Sequence, residues 1–383
     1  MKKRLVLAGS AVVASLGLAV AAAPAVAVAQ PLNLNVRCGD VAGLIAAVTQ
    51  ANANPDGATI TLAHRCVYRF TAGAGDNALP PITSRVTIKG MDSSLIRSTA
   101  APLFRLLSVA ATGELTLKGL VVNGGHALTN GGGINNEGTL LVEDSTLSGN
   151  QAALSGGAIY NNNGRVTVVD SKILTNIAIA VDGGALFNTA NGSVTLKKTT
   201  VAGNTAAING GGVANTGTLR VLDHSVFTHN EAHDGDGGAI SNTGPTAHTV
   251  LSDSKFTANW AGVDGGAVYN GPRAALEARE TVFDLNKAGQ DGGAIDNEGT
   301  ALLERIKVEK NSAGRNGGGI NNWVSVQPAA RVTLVRSLVV QNRAAESGGG
   351  INNDVNGLVE LRDNRIIHNL PTNCAGNVAQ CIG

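Results

Sequence analysis

The repeat region of this chain lacks the three-to-four-residue apolar periodicity of a helix, which removes bundles and helical solenoids from consideration. It also lacks an excess of charge. The 383 residues hold 29 Lys plus Arg against 28 Asp plus Glu, and without Lys2, Lys3 and Arg4 the balance is 26 against 28, about −2. A nucleic-acid partner needs a basic stripe, and none is present. Beyond residue 29 no apolar run is long enough to span a membrane, so no membrane span is expected. No C-terminal anchor pattern is found. Nucleophile triads, phosphate-binding loops and zinc motifs are absent. The Gly-x-Gly strings follow a repeat and none opens a helix, so none is a dinucleotide fingerprint.

What is abundant is glycine, 50 residues of it, and 22 of them fall into one word. Nine times the chain spells Gly-Gly, then Ala or Gly, an aliphatic residue, any residue, and Asn. The copies end at Asn136, Asn161, Asn188, Asn215, Asn242, Asn270, Asn297, Asn322 and Asn353, in steps of 25 to 31 residues. A second word, a large apolar residue, two others and Asn, interleaves with the first. It ends at Asn150, Asn176, Asn204, Asn230, Asn259, Asn286, Asn311, Asn342 and Asn369. A period in this range signals a solenoid.

Residues 156–176 show what one unit builds. Three short alternating runs, around Ile159, Val166–Val168 and Ile173, are separated by Gly, Asn and Asp. Each run can bury one face only, and the separators are turn formers. Three strands per unit without helices predict an all-β, right-handed parallel β-helix. Each strand would pair with its copy one coil on, about 4.8 Å away. Ile134, Ile159, Leu186, Val213, Ile240, Val268, Ile295, Ile320 and Ile351 then form one inward file. The Asn residues are expected to turn inward and bond the neighbouring coil's backbone. The Gly-Gly pairs are expected at a corner where no side chain fits.

Solenoid ends need covers. Residues 40–53 place Val41, Leu44, Ile45 and Val48 on one helical stripe, with Asp40 as N-cap, so a capping helix is expected. Strands at 59–62, 68–70, 86–88 and 115–117 follow without the glycine word. Residues 370–383 carry no strand pattern and read as the C-terminal cover. The division is therefore a signal peptide (1–29), N-terminal cap and first coils (30–119), repeat solenoid of about nine coils (120–369) and C-terminal disulfide cap (370–383). Lys2, Lys3 and Arg4 before an apolar stretch, with Ala27-Val28-Ala29, predict secretion with cleavage after Ala29.

The four cysteines lie two near each end. Four cysteines allow three pairings. The ends of a solenoid are far apart, which leaves Cys38–Cys66 and Cys374–Cys381. No pair is spaced C-x-x-C, which argues against a metal site, and an exported chain suits disulfides.

Two files carry candidate chemistry. Before each Gly-Gly stand Asn130, Ser155, Asp182, Asn209, Asp236, Asp264, Asp291, Asn316 and Ser347. Asp236, Asp264 and Asp291 would lie on successive coils, beside His233 and Asp234. Carboxylates so close would bind a hard cation such as Ca²⁺, or share a proton. Asp, Asn and Ser before Gly are also ordinary turn formers. The variable position of the first word should point outward. It holds Asn135, Tyr160, Phe187, Ala214, Ser241, Tyr269, Asp296, Asn321 and Asn352. Tyr160, Phe187 and Tyr269 are candidate glycan contacts. Trp260 and Trp323 follow repeat asparagines.

The paired words, Gly-Gly-Ala-Ile with Phe-x-x-Asn, resemble the repeats of chlamydial polymorphic outer membrane proteins over residues from about 120 to 369. The capping stretch is similar to that of secreted bacterial β-helix proteins, and the wider likeness is to the pectate-lyase-like superfamily. Only three second-word copies start with Phe, and the chain leaves no room for a β-barrel. The resemblance implies fold and adhesion. Its pectate-lyase-like side implies polysaccharide cleavage, with Arg305-Ile306-Lys307 as a partial match to polygalacturonase-like enzymes and Gly125-His126-Ala127 as a broken one. The reading is a secreted, non-catalytic, monomeric protein that binds a glycan or cell-surface ligand. The alternative is an extracellular polysaccharide lyase or hydrolase.

Overall fold

A computed structural model describes residues 30–326 and 329–381. The expected signal peptide lies outside the described residues. From residue 31 onward the chain is one unit, an all-β parallel solenoid of about 13 turns. Every strand pairs in parallel with its copy one coil away, for example Ile159 with Leu186 and Val166 with Val194. The pairings make three sheets, of 23, 11 and 9 strands. The 23-stranded sheet holds two strands per coil, which fuse into the single long strands Arg85–Arg97 and Glu114–Asn123 before the repeats begin. The first word supplies the 11-stranded sheet, as at Ile159–Asn161. Two-residue strands such as Gln151–Ala152 supply the third.

Alternation decides which side chains fill the interior. The expected inward file from Ile134 to Ile351 is fully buried throughout. Each such side chain is worth about 1.5–3 kcal/mol. Phe227, Phe256 and Phe283 form a second file, with ring centroids 4.9 and 5.2 Å apart.

Both asparagine words turn inward, and they do more than bond backbone. In the first word each amide donates to the next coil's amide, from Asn136 to Asn161 at 2.7 Å through Asn322 to Asn353 at 2.8 Å. Such a chain is directional, and Asn136 at its head keeps a buried Oδ1 with no donor among the described residues. In the second word Oδ1 accepts twice from the preceding coil. Asn230 takes both the backbone N–H of Asn204 (3.2 Å) and its Nδ2 (2.9 Å). Its own Nδ2 donates to Val201 O and to Asn259 Oδ1, both at 2.9 Å.

The Gly-Gly corner is as tight as expected. A Cβ on Gly211 would stand 2.4 Å from the backbone of Glu231. A different corner, just before the second-word Asn, takes left-handed backbone. Gly149 (φ 59°) and Gly203 (φ 61°) fill it in two coils, and Thr175 (φ 52°) fills it between them. A β-branched residue there is strained by about 1–2 kcal/mol. Glycine's greater freedom in the unfolded chain offsets part of any relief. Thr175→Gly should therefore raise stability by about 0.5–1 kcal/mol in urea unfolding, and a loss would show that the Thr175 side chain does more than tolerate the corner.

Helix α1 (Val41–Asn52) lies at the N-terminal end, with Asp40 Oδ1 accepting from Gly43 N at 2.7 Å. Leu44, Ala47, Val48 and Ala51 are buried, while Val41 and Ile45 are only half-buried. The alanines thus complete the stripe in place of the two larger residues. Disulfides Cys38–Cys66 and Cys374–Cys381 are both formed. The C-terminal cover differs from expectation in one respect. Cys374–Ala375 is a short strand that adds to Ile351–Asn352, so this segment continues one sheet, with Cys374 and Cys381 packed against the core.

Candidate functional site

The outward file of the 11-stranded sheet stacks in register from Asn135 to Asn352, as the sequence implies. Outward does not mean exposed. Ala214, Ser241, Asp296 and Asn321 are nearly fully buried. On one side of the file rise the turns ahead of each Gly-Gly, and on the other the residues that follow each ladder Asn. The file is therefore the floor of a trough. Tyr160 and Phe187 stack in it with centroids 5.4 Å apart and planes 18° apart, so each spends one face on the other. Tyr269 lies three coils from Phe187 and donates its hydroxyl to Glu298 Oε1 at 2.8 Å. Burial and the Glu298 charge push the Tyr269 phenol up.

The pre-glycine file forms one wall. Its side chains accept backbone N–H groups from the next coil. Asp236 Oδ1 takes Asp264 N at 3.0 Å, Asp264 Oδ1 takes Asp291 N at 2.8 Å, and Asp291 Oδ1 takes Asn316 N at 2.9 Å. Asn209 does the same for Asp236 N at 2.9 Å. One oxygen of each aspartate is thus committed to the turn ladder, the role expected of ordinary turn formers. Asp234 pairs with His233 at 2.8 Å and is well exposed. Trp260 packs edge-on against the same His233 ring. Among the described residues no three His, Cys, Asp or Glu side chains gather closely enough to hold a metal ion.

At the far end of Tyr269 the trough deepens into a cavity of about 290 Å³ lined by Asp264, Asp291, Asp296, Glu298, Arg315, Asn316, Asn321 and Trp323. The ladder explains how they meet. Asp296 and Asn321 are register partners on the floor, and Asn321 Nδ2 donates to Asp296 Oδ1 at 2.6 Å. Glu298 and Trp323 each follow a ladder asparagine by one position, on adjacent coils. Arg315 closes the opposite wall with an ion pair to Asp291 Oδ2 at 2.7 Å. Trp323 is about half exposed at the rim, 49%.

Crowded carboxyls in a half-dry site do not all ionise. Burial, reinforced by Asp236 and Asp291, pushes Asp264 up to about 6, against the opposing Asp291 N–H and Arg315 charge. Burial, then the Asp264 charge, pushes Asp296 well above the usual carboxylate range. Burial raises Asp236 and Asp182 as well. The cavity thus offers carboxyls that can donate as well as accept.

The sign of the pH dependence follows. Asp264 titrates higher in the folded chain than in the unfolded one, so its ionisation opposes folding. That penalty is absent below about pH 4 and fully present above about pH 6. Asp264→Asn keeps the ladder acceptor, as Asn209 does, and should raise stability at pH 8 by about 1 kcal/mol after discounting for solvent screening. The gain should vanish at pH 4 in parallel urea titrations. Millimolar Ca²⁺ is the control. A saturable rise in wild-type Tm that Asp264→Asn abolishes would assign the Asp236, Asp264 and Asp291 file to a cation instead.

The sequence model of the Chlamydia polymorphic membrane protein repeat matches residues 144–162. That stretch holds one second word, ending at Asn150, and one first word, ending at Asn161. No curated protein and no solved structure matches the chain. No helix among the described residues is long and apolar enough to cross a membrane.

Of the sequence candidates, the structure brings Asp264 and Asp291 to the cavity. Asp236 and Tyr269 stand next to it, and Tyr160 and Phe187 lie farther along the trough. Asp296, Glu298, Arg315 and Asn321 do not stand out as a site from sequence. One signal is available there: Asp296 is the only carboxylate in the outward file.

Proposed function

We propose that this chain is a secreted, monomeric, surface-acting β-helix protein that binds a glycan and does not cleave it. The observation that carries the reading is the cavity with Trp323 at its rim and mixed carboxyl, carboxamide and guanidinium groups inside. Sugar rings offer hydroxyls, which need paired donors and acceptors, and a weakly polar face, which suits an indole. The volume is at the small end of ligand sites, matching one sugar unit with the chain extending along the trough. Two disulfides suit an oxidising compartment. The matched repeat belongs to a membrane-protein family, which supports a place at a cell surface.

The test is a screen of the mature protein against neutral, acidic and cell-wall glycans, with saturable binding of at least one expected. Binding to none would remove the reading.

A second reading rests on a specific observation. Asp264, raised to about 6, sits one coil from Asp291, which is ion-paired to Arg315. A carboxyl that keeps its proton up to about pH 6 beside a second carboxylate is the kind of pairing glycoside hydrolysis uses. Incubation with uronate and neutral polysaccharides, following reducing ends and unsaturated products, separates the two. Turnover lost in Asp264→Asn would favour hydrolysis or elimination over binding alone.

A further inference from the structure

The second asparagine ladder begins at Asn150, whose Oδ1 accepts from Gly125 N at 3.0 Å. One coil earlier no asparagine exists to continue it. The 9-stranded sheet also begins there, at His126–Ala127, paired with Gln151–Ala152. The preceding turn, residues 98–103, makes no strand. A hollow of about 390 Å³ is left at this discontinuity, lined by Arg69, Arg97, Thr99, Asn123, His126 and Gln151 among others.

The hollow is basic and holds no counter-charge. No carboxylate lines it. Arg97 is only 9% exposed. Its Nε donates to Gly124 O at 2.9 Å, and its Nη1 to the carbonyls of Ser98, Ala101 and Pro102 at 2.9–3.3 Å. Phe104 lies 6.0 Å beneath the guanidinium. Nη2 has no hydrogen-bond partner among the described residues. These carbonyls hold the guanidinium but bring it no negative charge, and Nη2 opens to the hollow instead of being sealed in the core, whereas buried charges are ordinarily paired. Burial holds Arg97 below its usual range, and burial with the Arg97 charge holds His126 low. Arg69 reaches the same hollow from the exposed face of Val67–Phe70.

We propose that this hollow is a binding site for an oxyanion, the sulfate, phosphate or carboxylate group of a small acidic ligand. Arg97 is its fixed floor, and Arg69 and His126 are its outer donors. Carbonyl bonds fix Nε and Nη1 of Arg97, so Nη2 is pre-oriented and little ordering entropy is lost on binding. The hollow shares no residue with the acidic cavity, so this site stands or falls apart from the glycan reading.

The test is a titration of the mature protein with inorganic sulfate, inorganic phosphate and glucuronate, with ionic strength held constant by chloride and binding read by calorimetry and Tm. At least one oxyanion should bind saturably. A response to sulfate or phosphate alone would identify a tetrahedral ester as the natural group, and a response to glucuronate a carboxylate. Arg69→Gln, an exposed change that leaves the fold intact, should weaken binding roughly tenfold, as should His126→Gln. Arg97→Gln should abolish binding, but it also removes carbonyl bonds, so the two outer variants decide the outcome. No response beyond chloride, or a response that both outer variants leave unchanged, would overturn the site.

Discussion

Asn230→Ala is expected to lower stability by about 3–5 kcal/mol, the largest effect of any single truncation proposed for this molecule. The change leaves the Asn204 N–H and one Asn204 amide hydrogen without their acceptor, inside a dry core. It also takes a donor from Val201 O. Each buried group left unmade costs about 1–3 kcal/mol. Ala adds a small cavity on top. Cooperativity along the solenoid decides how the loss is spread. Coils couple to their neighbours, so hydrogen exchange should quicken between residues 200 and 260 while both ends keep their protection. A loss under 1 kcal/mol in urea unfolding, with unchanged exchange at Asn204, would show that the ladder is not what joins the coils.

The fold was legible in the sequence because its period is written twice. The Gly-Gly word marks one corner and the Asn word another, and the spacing between them sets the strand register. Even the capping helix and disulfides followed, since a solenoid has two ends and the cysteines lie near them. The amide-to-amide chains were less visible. The spacing of Asn150 and Asn176 shows that they stack, but not that Nδ2 of one meets Oδ1 of the next.

The cavity was harder still. Alternation gives the direction of a side chain and says nothing about the height of the turns beside it. Ser241 and Asp296 point outward as expected and are buried all the same, because the flanking turns stand above them. Glu298 and Trp323 share the position after a ladder Asn, but Arg315 comes from the opposite wall, and neither position belongs to either word, so the words do not announce their meeting. Arg97 and His126 lie where the words have not yet begun, and only three-dimensional structure shows that they meet Arg69 around one hollow.

The second large effect concerns binding. Trp323→Ala should weaken the retained glycan by about 2 kcal/mol, roughly thirtyfold, the cost of truncating an aromatic side chain that stacks on a ligand. The indole is half exposed, so stability should change by no more than about 0.5 kcal/mol. Calorimetric titration alongside urea unfolding separates the two quantities. Equal affinity in wild type and variant would take the indole out of the site.

The central claim is that the glycan seats in the acidic cavity and runs along the trough. Hydrogen exchange with and without saturating oligosaccharide tests it at single-segment resolution. The expected result is slowed exchange confined to residues 264–298 and 315–323, fading along the trough toward Phe187. Protection confined to the exposed face of the 23-stranded sheet, with the cavity segments unchanged, would contradict it.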